Sequence, residues 1–168
     1  MSTLTHEAAR TQLPAGTWKV DPVHSTIGFS APWSDGVTIV DGRFTDFDGT
    51  LELTETAGRA FGTIKTASIA TQNEQRDAHL RSPDFFDVEK APEITFESTQ
   101  VQPTEGGILV RGNLTIREAT FDVELPLSLR GPSNDAYGNE RIGADGTSTI
   151  EWADDSITLV VKISAVRA

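Results

Sequence analysis

Phe121-Asp122-Val123-Glu124-Leu125-Pro126-Leu127-Ser128-Leu129 alternates apolar and polar residues without a break. Successive side chains of a strand point to opposite faces, so this run predicts a strand with one dry and one wet face. The same period appears upstream, where Ile108, Val110, Gly112, Leu114 and Ile116 alternate with Leu109, Arg111, Asn113 and Thr115. It returns in Ile94-Thr95-Phe96-Glu97-Ser98, in Ser25 to Ala31, and in Ile157 to Ala165. About eight strands of ordinary length are expected, the number at which a closed antiparallel sheet can hold one small ligand. The predicted fold class is therefore all-β: an eight-stranded antiparallel barrel with a short helical lid.

Turn chemistry divides the runs. Asp48-Gly49, Glu105-Gly106-Gly107, Gly131-Pro132-Ser133-Asn134 and Asp154-Asp155-Ser156 read as hairpin or loop signals. Between Phe44 and Phe47 the alternation slips by one residue, which predicts a β-bulge near Asp46. Residues 1–15 have no usable period and are expected to form a tail or a short packed arm, leaving 16–168 as the barrel domain.

One stretch breaks the pattern. Asn73-Glu74-Gln75-Arg76-Asp77-Ala78-His79-Leu80-Arg81-Ser82 holds good helix formers, with Asn73 placed to cap and Pro83 to stop the turn. Phe85-Phe86 follows at once. A short helix and an aromatic pair between strands predict a lid over a barrel mouth. Its polar cluster, Arg76, Asp77, His79 and Arg81, has two readings. It is either a solvated helix face with an arginine–aspartate pair worth little, or a polar rim suited to the head group of a ligand.

The chain has 168 residues, with 14 basic and 25 acidic side chains and a formal charge of −11. That charge repels nucleic acid and anionic membrane surfaces, which excludes nucleic acid as a partner. With no cysteine, disulfides, thiolate metal sites and a cysteine nucleophile are excluded as well. No stretch approaches the ~18 apolar residues a membrane span requires, and the first residues lack an apolar signal core, so a cytoplasmic location is expected.

Reactive groups are sparse. His24 and Ser25 are adjacent on a strand, point to opposite faces and are poorly placed to act as base and nucleophile. They are expected to bond to backbone at the barrel rim. His6, His24 and His79 are the only nitrogen ligands and match no metal-binding spacing, so no metal, cofactor or catalytic residue is assigned. Pattern alone favours an interior filled by side chains over a cavity.

Trp18-Lys19-Val20-Asp21-Pro22-Val23-His24-Ser25 and Gly42-Arg43-Phe44-Thr45-Asp46-Phe47-Asp48-Gly49 resemble the opening of the YceI-like family. The resemblance continues through Arg76-Asp77-Ala78-His79-Leu80-Arg81-Ser82-Pro83-Asp84-Phe85-Phe86-Asp87-Val88, Pro92-Glu93-Ile94-Thr95-Phe96-Glu97-Ser98 and Gly112-Asn113-Leu114-Thr115-Ile116, and so spans nearly the whole chain. Where the family usually places a glycine and a threonine after this last string, Arg117-Glu118-Ala119-Thr120 stands. Many members carry a signal peptide, and none is expected from these first residues. The region from Arg141 to Trp152 matches only loosely.

The resemblance implies an extended lipocalin-like barrel whose tunnel binds an amphiphile: a polyisoprenoid, an isoprenoid quinone or a fatty-acid amide. It also implies a homodimer, whose interface should be largely apolar given the charge. On this basis a lipid ligand is expected rather than a cofactor, and the preference for a filled interior is reversed. Ile27, Phe29, Phe44, Ile64, Phe96, Leu114, Ile116 and Phe121 are expected to line the tunnel. The lid would contribute Leu80, Phe85 and Phe86, with Arg76, Asp77 and His79 at the mouth. Arg76 should pair with Asp77 or another buried acid, and His79 should turn toward the ligand's polar end. The alternatives are an enzyme working through His79, Asp77 and His24, and a stress-related scaffold protein.

Overall fold

A computed structural model describes residues 12–152 and 154–168. Eleven strands and one α-helix follow one another: β1 (Gly16–Val20), β2 (Thr26–Trp33), β3 (Thr38–Phe44), β4 (Phe47–Leu53), β5 (Gly58–Lys65), β6 (Ile69–Ala70), α1 (Glu74–Arg81), β7 (Glu93–Thr104), β8 (Gly107–Ile116), β9 (Ala119–Asn134), β10 (Glu140–Trp152) and β11 (Asp155–Arg167). Eight of them, β1-β4-β5-β7-β8-β9-β10-β11, close into a ring through the β1–β11 pairing, as the period-two runs predict.

The other three strands extend this ring toward one end. β1 and β2 pair in succession with the same edge of β11, residues 18–20 against 165–167 and 26–30 against 158–162. β4 and β3 in turn pair with β1 and β2, and β5 and β6 with β4 and β3. Three adjacent strands of the barrel are thus each broken once: at residues 21–25, at Thr45 and Asp46, and at the 3₁₀ turn Thr66–Ser68.

Each break is stitched by hydrogen bonds that replace the interrupted ladder. Ser25 Oγ donates to the Ser164 carbonyl (3.2 Å) and accepts from the Ser164 N–H (2.9 Å), while the Asp21 N–H donates to the same carbonyl at 2.8 Å. Backbone groups of Ser164 that face the gap between β1 and β2 are satisfied in this way. The second and third breaks bind each other, Thr45 N–H to Ser68 O and Lys65 N–H to Asp46 O.

Several local expectations are corrected. The slip between Phe44 and Phe47 is not a bulge within one strand but the corner between β3 and β4, which leaves both rings facing inward and buried. Register shifts occur instead at Ser98/Gln100 and Arg141/Gly143. Asp48-Gly49 lies within β4, with Gly49 opposite Gly62 of β5, because ladder pairing outweighs a local turn preference. Gly131-Pro132-Ser133-Asn134 continues β9, and the turn falls at residues 135–139, where the Asp135 carboxylate accepts the Tyr137 and Asn139 N–H groups. Glu105-Gly106 is a turn as expected, with Gly106 at φ +78°.

Residues 1–11, which include His6, lie outside the described residues. The rest of the predicted tail is a packed arm. Leu13 is buried, its N–H bonds to Glu55 O (2.9 Å), and Pro14 O accepts the Trp18 indole N–H at 2.8 Å. Trp18 and Ile108 are fully buried and, with Leu13, Leu53, Val101, Leu129, Ile142 and Ala165, form a packed floor across the closed end of the barrel. Among the described residues no helix is long and apolar enough to cross a membrane.

Candidate functional site

Above this floor the barrel is hollow. A cavity of about 480 Å³ runs from Leu51, Ala60, Val110 and Leu127 up to the β2–β3 hairpin and α1. Period-two strands supply an apolar wall, and glycines keep it from filling. A side chain at Gly42 would collide with the Phe29 ring, and one at Gly112 with the Phe96 ring, so both rings lie against bare backbone. Facing each other across β4 and β5, Gly49 and Gly62 remove two more side chains from the wall.

An aromatic chain borders the upper part. Phe29 lies 5.9 Å from Phe44, Phe44 meets Phe86 edge-on at 5.9 Å, and Phe86 lies 4.8 Å from Trp152. Of the residues expected to line a tunnel, Ile27, Phe29, Phe44, Ile64, Phe96, Leu114 and Ile116 border this cavity, as do Leu80, Phe85, Phe86, Arg76 and His79. Two do not. Phe121 pairs with Leu114 near the start of β9 and packs on the core without reaching the cavity. Asp77 is buried against Thr71 and does not border the cavity.

The helix forms where its caps allow. Asn73 Oδ1 accepts the Arg76 N–H at 2.9 Å and closes the first turn. Its polar side chains then do the work of a missing strand, because β6 pairs with β3 on one side and has no strand on the other. Asp77 Oδ1 accepts the Thr71 N–H (2.9 Å) and the Thr71 hydroxyl. Arg76 Nε donates to Thr71 Oγ1 at 2.8 Å and its Nη2 to Thr71 O. Arg81 donates to Ala67 O (2.9 Å) and Ile69 O (3.1 Å).

The expected Arg76–Asp77 ion pair is therefore replaced by a bridge through Thr71, because two residues adjacent on a helix diverge while both reach the strand edge. Both readings of the cluster miss its main role, which is to seal a sheet edge. His79 borders the cavity, but its Nε2 is 3.1 Å from Asp84 Oδ2 and its ring stacks edge-on against Phe85 at 5.0 Å. Facing the carboxylate, this nitrogen is turned away from the cavity interior.

Arg117 does not border the cavity, but it holds the segment after α1 that does, a role sequence reasoning did not assign it. At φ +56° it occupies a backbone region that suits glycine. Its guanidinium donates to Pro83 O (3.1 Å) and Phe85 O (3.0 Å) and lies 3.6 Å from the buried Asp87 carboxylate. The signal was the departure from glycine at this turn. Trp33 and Trp152 also border the cavity, and they escaped notice because each ends a strand, where the alternation gives no direction.

At the first break, Asp21 Oδ2 lies 2.7 Å from His24 Nδ1 and 2.9 Å from Arg141 Nη1, and Arg141 Nε donates to Asp135 at 2.7 Å. The His24 hydrogen bond and then Arg141 hold the Asp21 carboxyl down at about 2. Arg141 holds Asp135 at about 2 as well, helped by the Asn139 and Tyr137 N–H groups. Ser25 bonds to backbone as expected, whereas His24 bonds to a carboxylate. His24 does not border the cavity, so His24, Asp77 and His79 do not converge on it. Among the described residues no cluster of histidines and carboxylates could hold a metal ion.

Comparison with known proteins agrees with this architecture. The YceI-like domain model matches residues 18–165. A UPF0312 protein of Pseudomonas paraeruginosa is 37% identical over 153 residues, covering 88% of this chain and 80% of its own. The crystal structure of a Campylobacter jejuni YceI protein superposes with a TM-score of 0.71 at 26% identity, over 79% of this chain and 87% of that one. A polyisoprenoid-binding domain from Saccharophagus degradans has the same fold, with a TM-score of 0.70 at 16% identity, over 90% of this chain and 98% of that one.

Proposed function

The chain belongs to the YceI-like family, and from that premise we propose that it binds and carries or stores a long-chain amphiphile in its barrel. The candidate ligands are a polyisoprenoid, an isoprenoid quinone or a fatty-acid amide. The observation that carries this reading is the 480 Å³ apolar cavity. Apolar space of that size beside a packed core costs stability unless an apolar group fills it. The polyisoprenoid-binding neighbour supports the same ligand class.

Burial supplies the affinity, at about 0.8 kcal/mol per methylene, less the cost of ordering a flexible tail. The reading assigns the cavity no chemistry and the protein no cofactor. Asp77 is tied to Thr71 and His79 to Asp84, which supports binding over turnover. A homodimer in the cytoplasm is part of the proposal. Native mass spectrometry of protein purified from its own host should show an adduct of prenyl or fatty-amide mass, in a dimer. Protein that arrives empty, and stays empty after incubation with prenyl alcohols, refutes the binding.

A further inference from the structure

Resting on the reading above, we propose that the barrel floor is a chain-length gauge, which admits about twenty carbons of a ligand's tail and leaves any longer remainder outside the mouth. The cavity is a dead end. On β5, β8 and β9 the last inward residues that border it are Ala60, Val110 and Leu127. The next inward positions on β8 and β9, two residues away, are Ile108 and Leu129, which are buried in the floor.

That floor resists displacement. Trp18 is fully buried, its indole N–H is held by Pro14 O at 2.8 Å, and the Arg167 guanidinium lies 4.3 Å from the ring centre. Closed strand pairing surrounds this level, since β1 joins β4 to β11. A tail therefore cannot run through the barrel from end to end.

The volume sets the length. A dry cavity of about 150 Å³ holds a benzene ring, or roughly 25 Å³ per carbon. On that scale 480 Å³ takes about nineteen carbons, close to four isoprene units. Methylenes beyond that number stay in water and add nothing to affinity. Ala60, Val110 and Leu127 are then the specificity-determining residues, because they define the depth.

The test is displacement of the dye N-phenylnaphthylamine by geraniol, farnesol, geranylgeraniol and solanesol, which carry two, three, four and nine isoprene units. Affinity should rise at least about tenfold per unit up to geranylgeraniol, and solanesol should lie within about threefold of it. Ala60→Leu should move the plateau back to farnesol. Leu127→Ala should let affinity continue to rise beyond geranylgeraniol. Solanesol binding tenfold or more tighter than geranylgeraniol, or a plateau that neither variant moves, overturns the gauge while leaving the carrier reading intact. If the dye binds and no prenyl alcohol displaces it, the prenyl form of the carrier reading falls and the gauge with it.

Discussion

Replacing Asp77 with alanine tests whether α1 is bolted to the sheet edge or merely rests on it. In the wild type the buried Asp77 carboxylate accepts two hydrogen bonds from Thr71, from its N–H and from its hydroxyl, and Thr71 is itself 3% exposed. Alanine removes the acceptor and leaves a buried backbone N–H with no partner. A stranded buried donor costs about 1–3 kcal/mol, and hydrogen bonds to a charged group are at the strong end of the scale. The hydroxyl can turn to another acceptor, so the two losses together should come to about 3 kcal/mol. With a urea m-value of about 2 kcal/mol/M for a domain of this size, the midpoint should fall by about 1.5 M. Asp77→Asn keeps one acceptor oxygen and should lose only about a third as much. Introducing Asp77→Ala into a Thr71→Val background isolates the coupling, which should exceed about 1 kcal/mol. A midpoint within error of wild type, or full additivity of the two substitutions, refutes the edge-sealing role.

Ser25→Ala should destabilise by about 1–2 kcal/mol in the same urea assay, because the Ser164 N–H loses the hydroxyl that accepts it at the first break; an unchanged midpoint would show that water fills the gap. Arg117→Gly relieves a left-handed backbone, worth about 1 kcal/mol, but frees the carbonyls of Pro83 and Phe85. Stability should therefore change little while stopped-flow release of a bound dye becomes faster, and an unaltered release rate would show that these two bonds do not hold the segment after α1 against the cavity. Asp21 and Asp135 have carboxyls held at about 2, below the ordinary 3.8. The stability they contribute is complete above the ordinary value and is lost as pH falls through about 2. Melting temperatures should drop across that acid window, and Arg141→Met should flatten the drop. A variant with the wild-type slope would rule the network out as its cause.

Much of the barrel was legible because a wall with one dry face writes period two into the chain. The inward sets 108–116 and 121–129 could be read directly from residue order. The corner at Thr45 and Asp46 was visible as a slip, but a slip looks the same whether a strand bulges or ends. That β1 and β2 share an edge of β11 could not be read, since the pairing joins residues more than a hundred positions apart. The polar lid was recognised but misassigned, because Thr71, the partner that unites Arg76 and Asp77, lies before the helix and is unremarkable by type. Phe121 satisfied the period and still missed the cavity that its partner Leu114 borders, since alternation fixes the face of a residue but not how far its side chain reaches. The cavity itself depends on Gly42, Gly49, Gly62 and Gly112, whose value lies in the rings laid over them or the space left beside them.

A ring held everywhere by backbone ladders would open only by unfolding. The eight-stranded ring is of that kind, but its extension through β2 and β3 has a seam at β6, where the sheet edge is held by the side chains of Arg76, Asp77 and Arg81. β6 itself pairs with β3 at only two positions. Local opening starts where the fewest bonds must break together, so the panel of β2, β3 and β6 can part from α1 while the ladders of β7 to β10 stay shut. For the carrier proposed above, this separates loading from global stability: a tail admitted sideways through the parted wall need not thread the mouth end-on, and the energy that would retain the cargo need not be the energy that keeps the protein folded.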